Sequence, residues 1–156
     1  MQLRRLQIED APLMLEWMHD PDAVAHMHAR FGAMTLADCQ AFIQAAQSDC
    51  PNLHRAVADD KGVYLGTVSL KNIDKQCRQA EFAIAVRRAA MGQGVSPWAM
   101  NAMLSFGFAE LGLQRIYWCA DAANVRACRF YEKQGYHPCE TTPDRHKLLW
   151  YEVTNG

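Results

Sequence analysis

The spacing of apolar residues alternates between a helical and an extended period along this chain. Gln2 to Gln7 reads as an opening strand, and from Asp10 to about His19 the stripe Leu13, Met14, Trp17 and Met18 recurs on one helical face that should pack on a sheet. Asp10 is the expected cap of that helix, with Pro12 in its first turn. Asp20-Pro21-Asp22 breaks it, Ala23 to Ala29 has room for another turn or two, and Thr35-x-x-Asp38 opens a third helix reaching about Gln47. Extended runs follow at Leu53 to Ala58 and Val63 to Asn72, flanking the turn-rich Asp59-Asp-Lys-Gly62 as in a hairpin.

The second half repeats a strand–helix order. The apolar run Ala80-Glu-Phe-Ala-Ile-Ala-Val86 leads into Met91-Gly-Gln-Gly-Val-Ser96, and Pro97 opens a helical stretch to about Glu110. A strand at Gln114 to Ala120 comes next. Asn124 is then a good N-cap, Ala127, Phe130 and Tyr131 recur at helical spacing, and Gly135 can take the left-handed conformation that stops the helix. Tyr136 is expected to start a further strand, and Leu148-Leu-Trp-Tyr151 reads as a strand or an interface.

A strand, a glycine turn and a helix make a corner suited to a pyrophosphate. The glycine pair lets backbone N–H groups converge without side-chain obstruction, and the helix dipole adds positive potential there. The amides of Met91, Gly92, Gln93, Gly94, Val95 and Ser96 are the candidate donors, with the Gln93 side-chain amide as an additional one. Pro97 can donate none.

With both motifs in this order, residues 80 to 136 resemble the GNAT superfamily of acyl-CoA-dependent N-acyltransferases. The likeness runs through Ala80-Glu81-Phe82, Gly92-x-Gly94, Gly107-Phe108 and Phe130-Tyr131-Glu132-Lys133, and points toward its spermidine, amino-sugar and ribosomal-protein N-acetyltransferase branch. Two departures stand out: Met91 replaces the family's usual Gln or Arg, and Ser96-Pro97 occupies the helix entrance. The resemblance implies an α/β (α+β) fold, a central mixed, strongly twisted sheet of about six to seven strands with helices on both faces. It also implies acetyl-CoA as co-substrate and one domain over residues 1–156.

Site roles follow from the same resemblance. An amine must be neutral to attack the thioester carbonyl, and the departing thiolate benefits from a proton donor. Tyr131 matches the family's general acid, since a phenol is protonated at neutral pH and can donate to sulfur. Glu81 is the candidate base, directly or through water. Ile84, Ala85 and Val86 are candidates to hold the pantetheine arm through their backbone, in the manner of an added strand. Asn124 would contact that arm or orient its loop, besides capping the helix. Arg126 and Arg129 are candidates for the adenosine phosphates.

Composition narrows the partners. The chain has 156 residues, half of them apolar, enough for a proper core, and a net charge of -1, without the basic excess of a general nucleic-acid or membrane-surface binder. The N-terminus has no signal-peptide apolar core and no later run is long enough to span a membrane, so the expected location is the cytoplasm. Six cysteines without a Cys-x-x-Cys pair fit reduced thiols, and His26-x-His28 is too sparse for a metal site. Residues 1 to 50 hold seven acids and three bases, a bias that would welcome a cationic amine, with His19, His26 and His28 as further candidates to line its pocket.

The expected function is therefore acetyl transfer to a primary amine of a small molecule, an amino sugar or polyamine, by direct attack in a ternary complex. A protein N-terminus as acceptor and a non-catalytic acyl-CoA-binding module are the alternatives, and a homodimer is the favoured assembly.

Overall fold

The computed structural model describes residues 1–27, 29–139 and 148–155. Its strands are β1 (Gln2–Arg4), β2 (Leu53–Ala58), β3 (Tyr64–Asp74), β4 (Gln79–Val86), β5 (Arg115–Asp121) and β6 (Leu148–Thr154). They lie side by side in chain order, antiparallel except for the β4–β5 pair, which is parallel. The helices are α1 (Ala11–Met18), α2 (Pro21–Val24), α3 (Leu36–Ala45), α4 (Val95–Ala109) and α5 (Val125–Lys133). A parallel pair needs a crossover, and α4 supplies it. This is the mixed α/β sheet anticipated, with six strands among the described residues.

Each face of the sheet has its own core. On one face, Val68, Leu70, Phe82, Ile116 and Trp118 pack with Met100 and Met103 of α4 and Tyr131 of α5. On the other, Ala56 and Tyr64 pack with Met14, Trp17 and Met18 of α1 and with Cys39 and Ile43 of α3. The period-two alternation of the strands produces this division, since successive side chains point to opposite faces. Gly107 brings α4 close to the sheet: a Cβ there would stand 2.8 Å from Ile116 Cδ1 and 3.1 Å from Leu70 Cδ1.

Local chemistry sets most boundaries. Thr35 and Asp38 form the expected capping box of α3, and Asp59 Oδ1 accepts from Lys61 N and Val63 N to turn the β2–β3 hairpin. Asp10 departs from its expected role. Its buried carboxylate takes both guanidinium nitrogens of Arg4 at 2.8 Å and Gln7 N at 2.8 Å, so it ties β1 to α1 instead of capping the helix. Tyr136 does not start a strand: its N–H returns to Tyr131 O at 2.9 Å, and Pro138, with no N–H, cannot extend a ladder.

Candidate active site

The β4–β5 pair is the structural peculiarity on which the site is built. The two strands pair only over Gln79–Glu81 and Arg115–Tyr117, and beyond that row they part. β4 nevertheless continues to Val86, paired on its other side with β3 up to Gly66. Arg87 N donates to Leu65 O at 2.9 Å, so alternation turns Ala83 and Ala85 toward β3 and the backbone of Ile84 and Val86 toward the opening. Of the three expected arm-holding residues, Ile84 and Val86 therefore face the opening, and Ala85 belongs to the β3 ladder. A wedge walled by peptide groups that are unpaired among the described residues suits an extended ligand carrying amides of its own.

At the wide end of the wedge the chain makes the anticipated corner. Gly92 and Gly94 both have left-handed φ, 77° and 76°, and Gly94 caps the fifteen-residue α4. Among the described residues, no carbonyl accepts from the N–H groups of Gly92, Gln93 or Gly94. With the first-turn amides of Val95 and Ser96 they form a cluster of donors at a helix start. Met91 N is used within the loop, donating to Arg88 O at 3.1 Å, and the Gln93 side-chain amide donates to Ala89 O at 3.0 Å. Neither of those two donors points outward as expected.

Helix α5 approaches from the α4 side of the sheet. Asn124 accepts from Ala127 N at 3.2 Å, which fixes its capping role. Tyr131 sits in an aromatic set with Trp118 at 5.5 Å and Tyr151 at 5.0 Å between ring centroids. Burial, reinforced by Tyr151, Cys119 and Cys128, pushes its phenol well above the ordinary value. The Tyr131 proton is thus held through the physiological range. Tyr151 is raised to about 12, chiefly by burial.

The opposite face of the sheet carries a row of polar groups. Lys71, Glu81, Tyr117 and Glu152 stand in cross-strand register over β3 to β6. Among the described residues, Glu81 receives a long contact from Asn72 Nδ2, 3.4 Å. Arg115 lies over the Tyr117 ring at 4.6 Å and pairs with Glu152 at 2.6 Å. Trp150 stands beside Tyr117, 6.2 Å between centroids. This assembly of Tyr117, Trp150 and Glu152 around Glu81 was not foreseen, because it depends on the register of strands far apart in sequence.

The acidic N-terminal region reaches the site through ion pairs. Arg88 is held by Asp20 at 2.6 Å and Asp22 at 2.7 Å, and Arg87 by Glu16 at 3.0 Å, joining α1 and α2 to the loop after β4. The Arg88 hydrogen bond draws the Asp20 carboxyl down to about 2. Arg126 faces the same small cleft as Asp20, Asp22, Arg88 and Met91, whereas Arg129 is simply exposed on α5. His19 Nε2 contacts Met34 O at 2.7 Å, His26 is exposed, and His28 lies outside the described residues. Among the described residues no three His, Cys, Asp or Glu side chains gather to hold a metal ion, and no helix is long and apolar enough to cross a membrane.

Parted parallel strands, a glycine corner at their wide end and a buried tyrosine behind them define the fold class. The chain belongs to the acetyltransferase (GNAT) domain family, whose model matches residues 1–137. Among curated proteins it is similar to the spermidine N(1)-acetyltransferase of Escherichia coli (strain K12), 28% identical over 102 residues, 62% of this chain and 55% of that protein. The chain thus spans about half the length of that relative. The uncharacterized N-acetyltransferase p20 of Bacillus licheniformis is 24% identical over 147 residues, 85% of this chain and 79% of that protein. Among solved structures, the spermidine N-acetyltransferase from Vibrio cholerae in complex with CoA and spermine has a TM-score of 0.83 at 19% identity, covering 98% of this chain and 94% of that one. That likeness extends to the fold.

Proposed function

We propose that residues 1–156 act as one domain that transfers an acetyl group from acetyl-CoA to a primary amine of a small molecule, by direct attack in a ternary complex. The observation that carries this reading is the parting of β4 and β5, with the Ile84 and Val86 backbone turned into the opening. The pantetheine arm lies in the wedge, its amides completing the edge of β4. The pyrophosphate meets the free amides of Gly92 to Ser96, and Asn124 orients the α5 end of the arm. Arg126 and Arg129 are the cations nearest in sequence to that end and are assigned to the adenosine phosphates.

With the phosphates at the wide end, the thioester reaches the closed end. Tyr131 donates its proton to the departing sulfur, and Glu81 is the carboxylate that meets the incoming ammonium and the first candidate to take its proton. Two bound substrates held in line supply much of the acceleration, and proton transfer adds a factor of about a hundred to ten thousand. The open row around Glu81, with Tyr117 and Trp150 beside it, favours a cationic acceptor such as a polyamine or an amino sugar. The reaction belongs in the cytoplasm, where acetyl-CoA is available. The assembly proposed for the protein is a homodimer.

The test is a mass-spectrometric screen of the protein with acetyl-CoA and polyamines, nucleotide-linked amino sugars, amino acids and short peptides. A small amine heavier by one acetyl group is expected. Acetylation confined to peptide N-termini would move the acceptor to proteins, and tight acetyl-CoA binding without any product would leave a binding module.

A further inference from the structure

The floor of the proposed acceptor side contains a hydrogen-bonded pair that the acetyl-transfer chemistry above leaves unused. His54 of β2, Ser69 of β3 and Ala83 of β4 lie in one cross-strand row, on the face opposite α4. His54 Nδ1 and Ser69 Oγ are 2.6 Å apart. Ser69 is 5% exposed, and Phe42 of α3 packs edge-on against the His54 ring at 4.8 Å. Neighbouring strands are about 4.8 Å apart, so the Ser69 hydroxyl is roughly one strand spacing from Ala83. Ala83 is the first residue of β4 on this face beyond the last row paired with β5, the level to which the acetyl-transfer reading brings the thioester. Its side chain is a single methyl group, and the residue is partly exposed.

We propose that Ser69 and His54 form the relay that removes the acceptor's proton, with Ser69 facing the amine and His54 receiving the proton behind it. The proposal rests on the acetyl-transfer reading. The amine's ammonium gives a proton to Ser69 Oγ as the Ser69 proton passes to His54 Nδ1, and the imidazolium then releases one to solvent. The neutral nitrogen forms the C–N bond as the C–S bond breaks. The nitrogen's second proton, lost after attack, replaces the one that Tyr131 gives to the thiolate. One proton is released for each amide formed.

The surroundings keep His54 ready to accept. Burial is the main influence lowering its affinity for a proton, helped by Lys71 on β3 and Arg55 on its own strand and opposed by Asp49 before β2. α3 contributes the apolar Phe42 ring. A neutral imidazole with Nδ1 unprotonated accepts the Ser69 hydroxyl hydrogen. In the relay Glu81, in the adjacent row opposite Lys71, keeps the role of anchoring the ammonium, and His54 takes over the proton-accepting role given to Glu81 above.

The experiment compares the parent with His54→Gln, whose amide can still bond Ser69 but cannot titrate, on two kinds of nucleophile. Spermidine and glucosamine carry ammonium groups at neutral pH, whereas hydroxylamine is already neutral and needs no proton removed before attack. The relay predicts a loss of kcat of about a hundredfold on the ammonium acceptors and disappearance of the acid limb of the kcat profile. Hydroxylamine acetylation and acetyl-CoA affinity should stay near the parent's. Equal losses on both kinds of nucleophile, or an unchanged acid limb, would overturn the proposal. Should His54→Gln fail to fold, Ser69→Ala, which removes a single oxygen, must give the same split. A parent that acetylates neither ammonium acceptor removes the underlying reading as well, so the two failures are distinguishable.

Discussion

The half of the molecule assigned to the cofactor and the half assigned to the acceptor are built on different principles. From β4 to α5 the important groups are backbone: open peptide edges at Ile84 and Val86, and amides of a loop whose glycines hold φ near 77°. On the other face, the groups are side chains contributed by five strands, β2 to β6, aligned only by register. Backbone recognition needs a shape that a few glycines and caps enforce, and it tolerates Met91 in place of a polar residue. Side-chain recognition can change with single substitutions while the sheet stays intact, which suits the acceptor role proposed for this face.

The difference can be broken most severely at the glycine corner. Gly94→Glu puts a side chain at a left-handed position and a negative charge among the phosphate donors, and should abolish acetyl-CoA binding by calorimetry with the fold retained by circular dichroism. Undiminished affinity would mean that the phosphates bind elsewhere. Tyr131→Phe should lower kcat by about a hundredfold to ten-thousandfold while leaving acetyl-CoA affinity in place. Unchanged turnover would take the general-acid role from Tyr131.

Smaller effects sharpen the division. Glu81→Gln should raise the KM of a cationic amine by about tenfold to a hundredfold, the worth of a charged hydrogen bond, without altering acetyl-CoA binding. A matching loss of cofactor affinity would show that the two halves are not separate. Gly66→Ala should cost about 1–3 kcal/mol in denaturant unfolding, because a Cβ there would lie 2.5 Å from Ala85 O and 2.9 Å from Val86 Cα. It should also weaken acetyl-CoA binding, since the displaced strand is β4.

The mildest effect concerns the ion pairs joining the halves. With the Asp20 carboxyl drawn from 3.8 to about 2 by Arg88, its stabilising link is complete above the ordinary value and is lost as pH falls through the lowered one. Carboxyl chemical shifts should therefore follow a titration near pH 2, and Arg88→Gln should return it toward 3.8. A normal titration in the parent would mean that the clasp is open in solution.

Legibility followed the same division. Caps and glycines are local signals, so Thr35 with Asp38, Asn124 and Gly135 could be placed from the sequence, and with them α3 and α5, while α4, expected to open at Pro97, begins at Val95 behind Gly94. Asp10 misled because a distant guanidinium, Arg4, competes successfully for its carboxylate. The His54–Ser69 pair was hidden by a register irregularity. The hairpin turn pairs Ala58 with Tyr64, which continued evenly would set His54 opposite Val68, but a shift between Val57 and Ala58 moves its partner to Ser69. One extra residue exchanges a core valine for a hydroxyl on the acceptor face.

The central claim is that the β4 edge beyond Glu81 receives the pantetheine arm, and amide hydrogen exchange resolved by residue tests it most directly. Acetyl-CoA should slow exchange at Ile84 and Val86, whose N–H groups face the opening, and leave Ala85, already paired with β3, unchanged. Acetyl-CoA binding without protection at Ile84 and Val86 would contradict the account.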